Sequence, residues 1–137
     1  MSRVLAIDYG KRRVGLAVSD PLGIFAQPLQ TISAEECLDF VTRYCAENQV
    51  TKIILGMPTQ DNGEPSESQR YIRPFMGRLK KALPEVEIIE IEERGSSVEA
   101  LEAMIAGGVP KNKRRQKAGL VDRTAAAIIL QRYLGDF

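Results

Sequence analysis

The sequence predicts an α/β domain in which a mixed β-sheet carries helices on its faces. The first strand-like segments follow one another closely, and later ones alternate with helical segments. Strands joined by short turns form an antiparallel meander, whereas strands joined through helices run parallel. With 137 residues, the chain is expected to form one compact domain over residues 1–137.

The first half of the chain predicts a meander followed by a helix. Its three strands are expected at residues 4–7, 14–19 and 27–32, the first being an uninterrupted apolar run typical of a central strand. Ser33 with Glu36 forms a capping box, which predicts that a helix begins there. Apolar residues then recur at helical spacing up to Cys45.

The second half alternates strands with helices. Further strands are predicted at residues 52–56 and 86–91. A capping box of Ser66 with Gln69 predicts one helix, and Ser96 with Glu99 predicts another. The last helix is expected to open at Asp122, after an irregular stretch over residues 110–119.

Composition excludes several kinds of site. The chain contains no histidine, so Ser-His-Asp catalysis and most zinc sites are excluded. Cys37 and Cys45 are predicted to be buried thiols. No apolar run approaches the roughly 18 residues of a membrane helix, and no signal-peptide pattern is present, so we expect a cytoplasmic protein without a membrane partner.

Three carboxylates follow or precede apolar segments at points that a sheet can bring together. Asp8 ends the first strand, Glu93 follows the last one, and Asp122 precedes the final apolar helix. Small residues at 125–127 would let that helix lie close to the sheet and carry Asp122 toward Asp8. A carboxylate cluster without histidine is the oxygen environment that Mg²⁺ or Mn²⁺ prefers, which points to metal-assisted phosphodiester chemistry.

Glycines and basic residues surround these acids. Asp8, Gly10 and Gly15 form a D-x-G-x-x-x-x-G segment, whose glycines allow a tight turn and close approach to a phosphate. The same segment is compatible with a hairpin in which Asp8 only caps the turn. The formal net charge is +1, so affinity for nucleic acid must come from local basic clusters, at Lys11 to Arg13 and Lys111 to Lys117.

Four segments of the chain resemble the YqgF/RuvX family. They are residues 4–20, 53–58, 92–100 and 121–130, which occur in the family's order over nearly the whole chain. The resemblance implies an RNase H-like fold, with a mixed five-stranded sheet of an antiparallel meander plus parallel strands, and helices on both faces. It also implies a nuclease that resolves Holliday junctions or matures the 5′ end of pre-16S rRNA.

The resemblance assigns roles by position. Asp8 matches the family's first-strand aspartate, Asp122 its C-terminal aspartate, and Glu93 with Arg94 the end of its Asp-Glu-Arg signature. Glu92 replaces the signature's usual aspartate and is a second candidate ligand. We expect Asp8, Glu93 and Asp122 to be catalytic and to hold two Mg²⁺ or Mn²⁺ ions. Nucleic-acid contacts are expected from Lys11, Arg12, Arg94, Lys111, Lys113, Arg114, Arg115 and Lys117.

Two other functions are compatible with the sequence. The glycine-containing first hairpin also resembles the phosphate loop of actin-like and sugar-kinase phosphotransferases, although those proteins close two such domains around a nucleotide. A non-catalytic nucleic-acid-binding module would use the basic residues alone. The sequence leaves open whether the partner is pre-rRNA or branched DNA, because basic residues contact phosphates without reading bases. It also leaves open a monomer or a homodimer.

Overall fold

A computed structural model describes residues 2–60, 62–93 and 114–135, with the backbone alone for Glu93 and residues 114–121. The elements in these ranges are β1 Arg3–Tyr9, β2 Arg13–Ser19, β3 Ala26–Ser33, α1 Ala34–Asn48, β4 Val50–Pro58, α2 Gln69–Ala82, β5 Glu87–Glu93 and α3 Arg114–Leu134. No helix in the described ranges has the length and apolar character needed to cross a membrane.

The strands form one mixed sheet in the order β3-β2-β1-β4-β5. β1, β2 and β3 pair antiparallel, while β4 pairs parallel with both β1 and β5. The predicted meander followed by parallel strands is therefore confirmed. Because β1, β4 and β5 run in the same direction, their carboxyl ends meet at one edge of the sheet.

Both faces of the sheet are covered by helices. The first face, which includes Leu5 and Ile7 of β1, packs against α1 and α2 through residues such as Phe75. The second face, which includes Ala6, packs against α3 through residues such as Ile129. Alternate residues of β1 thus serve opposite cores, which explains why its sequence is apolar without interruption.

The start of α1 follows the predicted pattern. The Ser33 hydroxyl accepts a hydrogen bond from the backbone N–H of Glu36, at 3.3 Å. The helix ends at Asn48, and the C-cap residue Gln49 has a left-handed φ of 55° and donates its backbone N–H to the Cys45 carbonyl. This αL cap satisfies one of the carbonyls left without a partner at the end of a helix.

The start of α2 differs from the prediction. The helix begins at Gln69, and Ser66 does not cap it in the expected way, because its hydroxyl bonds the Ser68 hydroxyl at 2.7 Å. The Gln69 amide instead donates to the carbonyl of Pro58 at 2.7 Å, and its oxygen accepts from Arg73. The capping-box prediction was wrong here because Gln69 is buried and ties α2 to the end of β4.

The start of α3 also differs from the prediction. The irregular stretch predicted for residues 110–119 was wrong from Arg114 onward, because α3 already begins there. Asp122 therefore lies inside the helix rather than at its first turn, so the helix N-terminus does not stabilise its charge. The physical reason is propensity, since arginine, lysine, glutamine and alanine are good helix formers. The helix predicted after Ser96 lies outside the described residues.

Candidate active site

Asp8 lies one residue before the end of β1, on the face that α3 covers. It shares this face with Val4 and Ala6, which belong to the core under α3. Tyr9 points to the other face, where its ring stacks on Phe75 with a centroid distance of 4.2 Å. The end of β1 is therefore packed against α2 on one face of the sheet, and this packing fixes the position of Asp8 on the opposite face.

Asp122 and Asp8 both lie next to the same glycine. Gly15 of β2 is the cross-strand partner of Asp8. A Cβ atom built on Gly15 would overlap the backbone carbonyl of Asp122, so the backbone of α3 lies directly on this glycine. Cross-strand partners have Cα atoms about 4.5–5.5 Å apart, so Asp8 and Asp122 are both immediate neighbours of Gly15.

The helix comes this close because its contact face is made of small residues. Ala125 and Ala126 of α3 are fully buried, and Ala126 packs with Ala6 and Ala17 of the sheet. The sequence predicted this close packing from the alanines at 125–127, but it did not predict that Gly15 would be the point of contact. An alanine or glycine on each side lets two backbones approach more closely than larger side chains allow.

An ion pair joins Asp122 to the start of β2. The Nε atom of Arg13 lies 2.7 Å from Oδ2 of Asp122, a short charge-assisted hydrogen bond. The Asp122 side chain is 22% exposed and that of Arg13 is 55% exposed, so the pair lies at the surface edge of the site. Sequence reasoning missed this pair because its members are far apart in the chain.

Glu93 is the last residue of β5, where it pairs with Pro58 at the end of β4. Ile89 and Ile91 pack into the core under α3, as the predicted alternation along β5 requires. The Glu93 side chain lies outside what the structure describes. The convergence of Glu93 with the two aspartates therefore stays a prediction, supported by the position of its backbone at the shared edge of the sheet.

Glu92 lies on the opposite face of the sheet from Asp8. It alternates with Ile91, and its Oε1 accepts a hydrogen bond from the Thr59 hydroxyl at 3.1 Å. Glu90, on the same face as Glu92, pairs with Arg73 of α2 at 3.1 Å. The structure thus groups Glu92 with the α2 side of β5 and does not bring it to Asp8.

The predicted nucleic-acid contacts divide into three groups. Lys11 and Arg12 are exposed in the turn between β1 and β2, beside Asp8. Arg114, Arg115 and Lys117 belong to the first turns of α3, the same helix that carries Asp122. Arg94, Lys111 and Lys113 lie outside the described residues.

The cysteines do not contribute a nucleophile. Both are free and buried in α1. Burial raises the pKa of the Cys37 thiol to about 12 and that of Cys45 to about 11. Both side chains are therefore protonated thiols at neutral pH, whereas the thiolate is the reactive form.

The donor chemistry at Asp8 and Asp122 fits a hard divalent cation. Among the residues whose side chains are described, no group of three or more acidic, histidine or cysteine side chains is poised around a common metal position. Asp8 and Asp122 nevertheless both lie next to Gly15 and carry carboxylate oxygens of the kind such a cation prefers, and the Arg13 guanidinium lies against Asp122. Glu93 would be the third oxygen ligand.

The sequence matches one protein family along almost its entire length. That family is described as "RuvX: Holliday junction resolvase", and the match covers residues 2–136. The chain belongs to the RuvX family. The resemblance noted in the four sequence segments is thereby confirmed.

Curated RuvX relatives are similar over nearly their full lengths. A Bacteroides fragilis protein named "Putative pre-16S rRNA nuclease" is 47% identical over 134 residues, which cover 98% of this chain and 96% of the relative. Proteins of the same name from Porphyromonas gingivalis and Flavobacterium psychrophilum are 46% and 42% identical. Each alignment covers 98% of this chain, and 96% and 97% of these two relatives.

The fold of this RuvX chain is also found in solved structures. The structure described as "T. thermophilus RuvC in complex with Holliday junction substrate" aligns with a TM-score of 0.54 at 17% sequence identity. The alignment covers 98% of this chain and 97% of that one. RuvC has an RNase H-like fold, so the predicted RNase H-like architecture is confirmed.

Proposed function

We propose that this RuvX chain is a metal-dependent endonuclease that hydrolyses phosphodiester bonds in structured nucleic acid, acting as a single domain in the cytoplasm. The observation that carries this proposal is the seating of Asp122 on Gly15, the strand partner of Asp8. This contact supports a site in which carboxylates from distant parts of the chain lie near one sheet edge. Membership of the RuvX family supports phosphodiester hydrolysis as the function of these carboxylates.

The proposed cofactor is a pair of Mg²⁺ or Mn²⁺ ions held by Asp8, Glu93 and Asp122. Such ions would supply an activated water and stabilise the leaving oxygen. Two contacts within the chain would hold these proposed ligands in position. The Tyr9 ring packs β1 against α2, and Gly15 lies against the backbone of α3. Rigid placement of this kind is what an oxygen-ligand site needs for catalysis.

The position of Gly15 argues against the phosphotransferase alternative. A glycine in a phosphate loop leaves its face open so that a phosphate can approach the backbone. Here the space beside Gly15 is filled by the backbone of Asp122, and a Cβ on Gly10 would overlap the Arg13 carbonyl. Both glycines are explained by packing within the chain, and neither is needed to contact a nucleotide.

We propose pre-16S rRNA, cut near its mature 5′ end, as the first candidate substrate. The curated relatives at 46–47% identity carry a name that refers to this RNA. A four-way DNA junction is the second candidate, favoured by the description of the family and by the fold. Both are polyanions that a basic surface can hold by phosphates alone.

A direct assay tests both substrates. Wild-type protein is incubated with a precursor rRNA fragment that spans the 5′ end and, separately, with a four-way junction, in Mg²⁺, Mn²⁺, Ca²⁺ or EDTA. We expect cleavage of the rRNA fragment in Mg²⁺ or Mn²⁺, mapped by primer extension, and none in EDTA. Cleavage of the junction alone would make DNA the substrate. Cleavage of neither, by protein that binds Mn²⁺, would favour a non-catalytic module.

Three consecutive basic residues give a second expectation. Lys113, Arg114 and Arg115 would contact phosphates without reading bases, so changing all three to alanine should weaken binding to every sequence alike. Log affinity falls with log salt concentration, and each lost phosphate contact should make this slope shallower by about one unit. Fluorescence anisotropy at several salt concentrations measures both quantities. An unchanged affinity at low salt would contradict a role for these residues in substrate binding.

A further inference from the structure

The ion pair between Arg13 and Asp122 involves a proposed metal ligand, so it bears directly on metal binding. Arg13 begins β2 and is exposed, whereas Asp122 lies within α3 and is largely covered. The Arg13 Nε atom donates to Oδ2 of Asp122 at 2.7 Å. One oxygen of the carboxylate is therefore already bound to a positive group of the protein.

The backbone around Arg13 holds it in this position. Its carbonyl accepts a hydrogen bond from the Gly10 N–H at 2.9 Å, which closes the turn between β1 and β2. Two residues later in the chain, Gly15 lies directly against the backbone of Asp122. The same short segment thus fixes both the guanidinium and the helix that bears its partner.

In the proposed site, the Asp122 carboxylate is one of several acidic groups, and like charges held near one another repel. A guanidinium beside one of them offsets part of this repulsion, and a divalent ion arriving at the same carboxylate must share it with Arg13 or displace it. Because the Arg13 side chain is 55% exposed, it can leave Asp122 for solvent at little cost. Competition between the two cations is the direct consequence.

We propose that Arg13 is the resident counter-ion of Asp122 and that it sets the affinity of the site for its divalent cation by competing for that carboxylate. Arg13 acts through Asp122, so it is a positioning residue. The inference rests on the proposed metal-dependent function. It adds a residue that tunes loading of the site, so that the metal ligands stay ordered and partly neutralised before the ion binds.

Mn²⁺ affinity is the quantity that tests this role, measured by isothermal titration calorimetry without nucleic acid. Arg13→Ala should bind Mn²⁺ roughly two- to fivefold more tightly than wild type, as expected for removal of an exposed ion pair that competes with the ion. Arg13→Lys keeps the charge and should return the affinity toward the wild-type value. Unchanged or weaker Mn²⁺ binding by Arg13→Ala would overturn the proposal.

A neighbouring arginine provides the matched control. Arg12→Ala removes the same charge from the adjacent exposed position, but the contact described for Arg12 is through its backbone carbonyl, which accepts from the Ala34 N–H. Its effect on Mn²⁺ affinity should be clearly smaller than that of Arg13→Ala. Equal effects of the two variants would reduce Arg13 to a general contribution of charge and overturn its specific role.

A third variant separates failure of this inference from failure of the proposed function. Asp122→Asn should weaken Mn²⁺ binding. In the Asp122→Asn background, Arg13→Ala should have no further effect, because Arg13 and the metal ion no longer compete for a carboxylate at position 122. If Asp122→Asn binds Mn²⁺ as wild type does, the metal site itself is wrong. If Asp122→Asn weakens binding and the two substitutions act independently, only the role of Arg13 is wrong.

Discussion

Asp8→Asn is expected to reduce cleavage by at least about 10²–10³-fold, the usual effect of removing one group that stabilises charge in a transition state. The substitution keeps the shape of the side chain but removes its negative charge, next to the glycine that contacts Asp122. Single-turnover cleavage at saturating enzyme measures the rate. The increase in melting temperature on adding Mn²⁺ should also become smaller, because binding to the folded state stabilises it in proportion to affinity.

The matched control for this variant is Asp39→Asn. Asp39 is exposed on α1, on the other side of the sheet, and the substitution makes the same change in charge. Its cleavage rate and its metal-induced shift in melting temperature should equal those of wild type. Cleavage by Asp8→Asn at the wild-type rate would remove Asp8 from the mechanism, and failure of the metal-free variant to fold would make Asp8 a structural cap.

The strands could be predicted from sequence because burial on both faces leaves a clear signal. β1 and β4 are fully apolar over their central residues, for example Leu5 to Ile7 and Ile53 to Leu55, and these residues are buried. The alternation along β5 was also readable, since Ile89 and Ile91 share the core under α3. Patterns within one segment report which faces are buried, and they do so whatever the rest of the chain does.

The beginnings of α2 and α3 could not be predicted in the same way. Ser66 and Gln69 fit a capping box by spacing, but Gln69 is used in tertiary contacts with Pro58 and Arg73. At α3, an irregular stretch was predicted over residues 110–119, although the residues from Arg114 onward favour helix. Both errors came from local rules that tertiary packing or intrinsic propensity overrode.

The candidate site was only partly readable for a related reason. Asp8, Glu93 and Asp122 could be selected because each adjoins an apolar segment, and the alanines of α3 indicated close packing. The ion pair with Arg13 depends on a contact between two exact positions in separate elements. A single sequence carries no pattern for such a contact, whereas the structure displays it directly.

Gly15→Ala is expected to damage stability and activity together. The added methyl group would overlap the backbone carbonyl of Asp122, and a backbone cannot rotate away as a flexible side chain can. Helix α3 must shift, which should lower the free energy of unfolding by about 1–3 kcal/mol, as overpacking of a close interface does. A displacement of Asp122 by about 1 Å should lower the cleavage rate by roughly 10²-fold. Urea unfolding and single-turnover cleavage measure the two effects.

Gly77→Ala is the control that makes the Gly15 result interpretable. Gly77 is exposed within α2, and a Cβ atom built there meets no atom within 4 Å beyond its chain neighbours and the adjacent backbone of its own helix. Alanine at this position should raise the free energy of unfolding by about 0.5–1 kcal/mol, because glycine is unfavourable inside a helix, and should leave cleavage unchanged. If Gly15→Ala changes stability and cleavage only as Gly77→Ala does, α3 does not contact β2 at Gly15. The proposal that this contact brings Asp122 near Asp8 would then be wrong. If Gly15→Ala loses stability but keeps its cleavage rate, the contact is structural and the position of Asp122 does not limit catalysis.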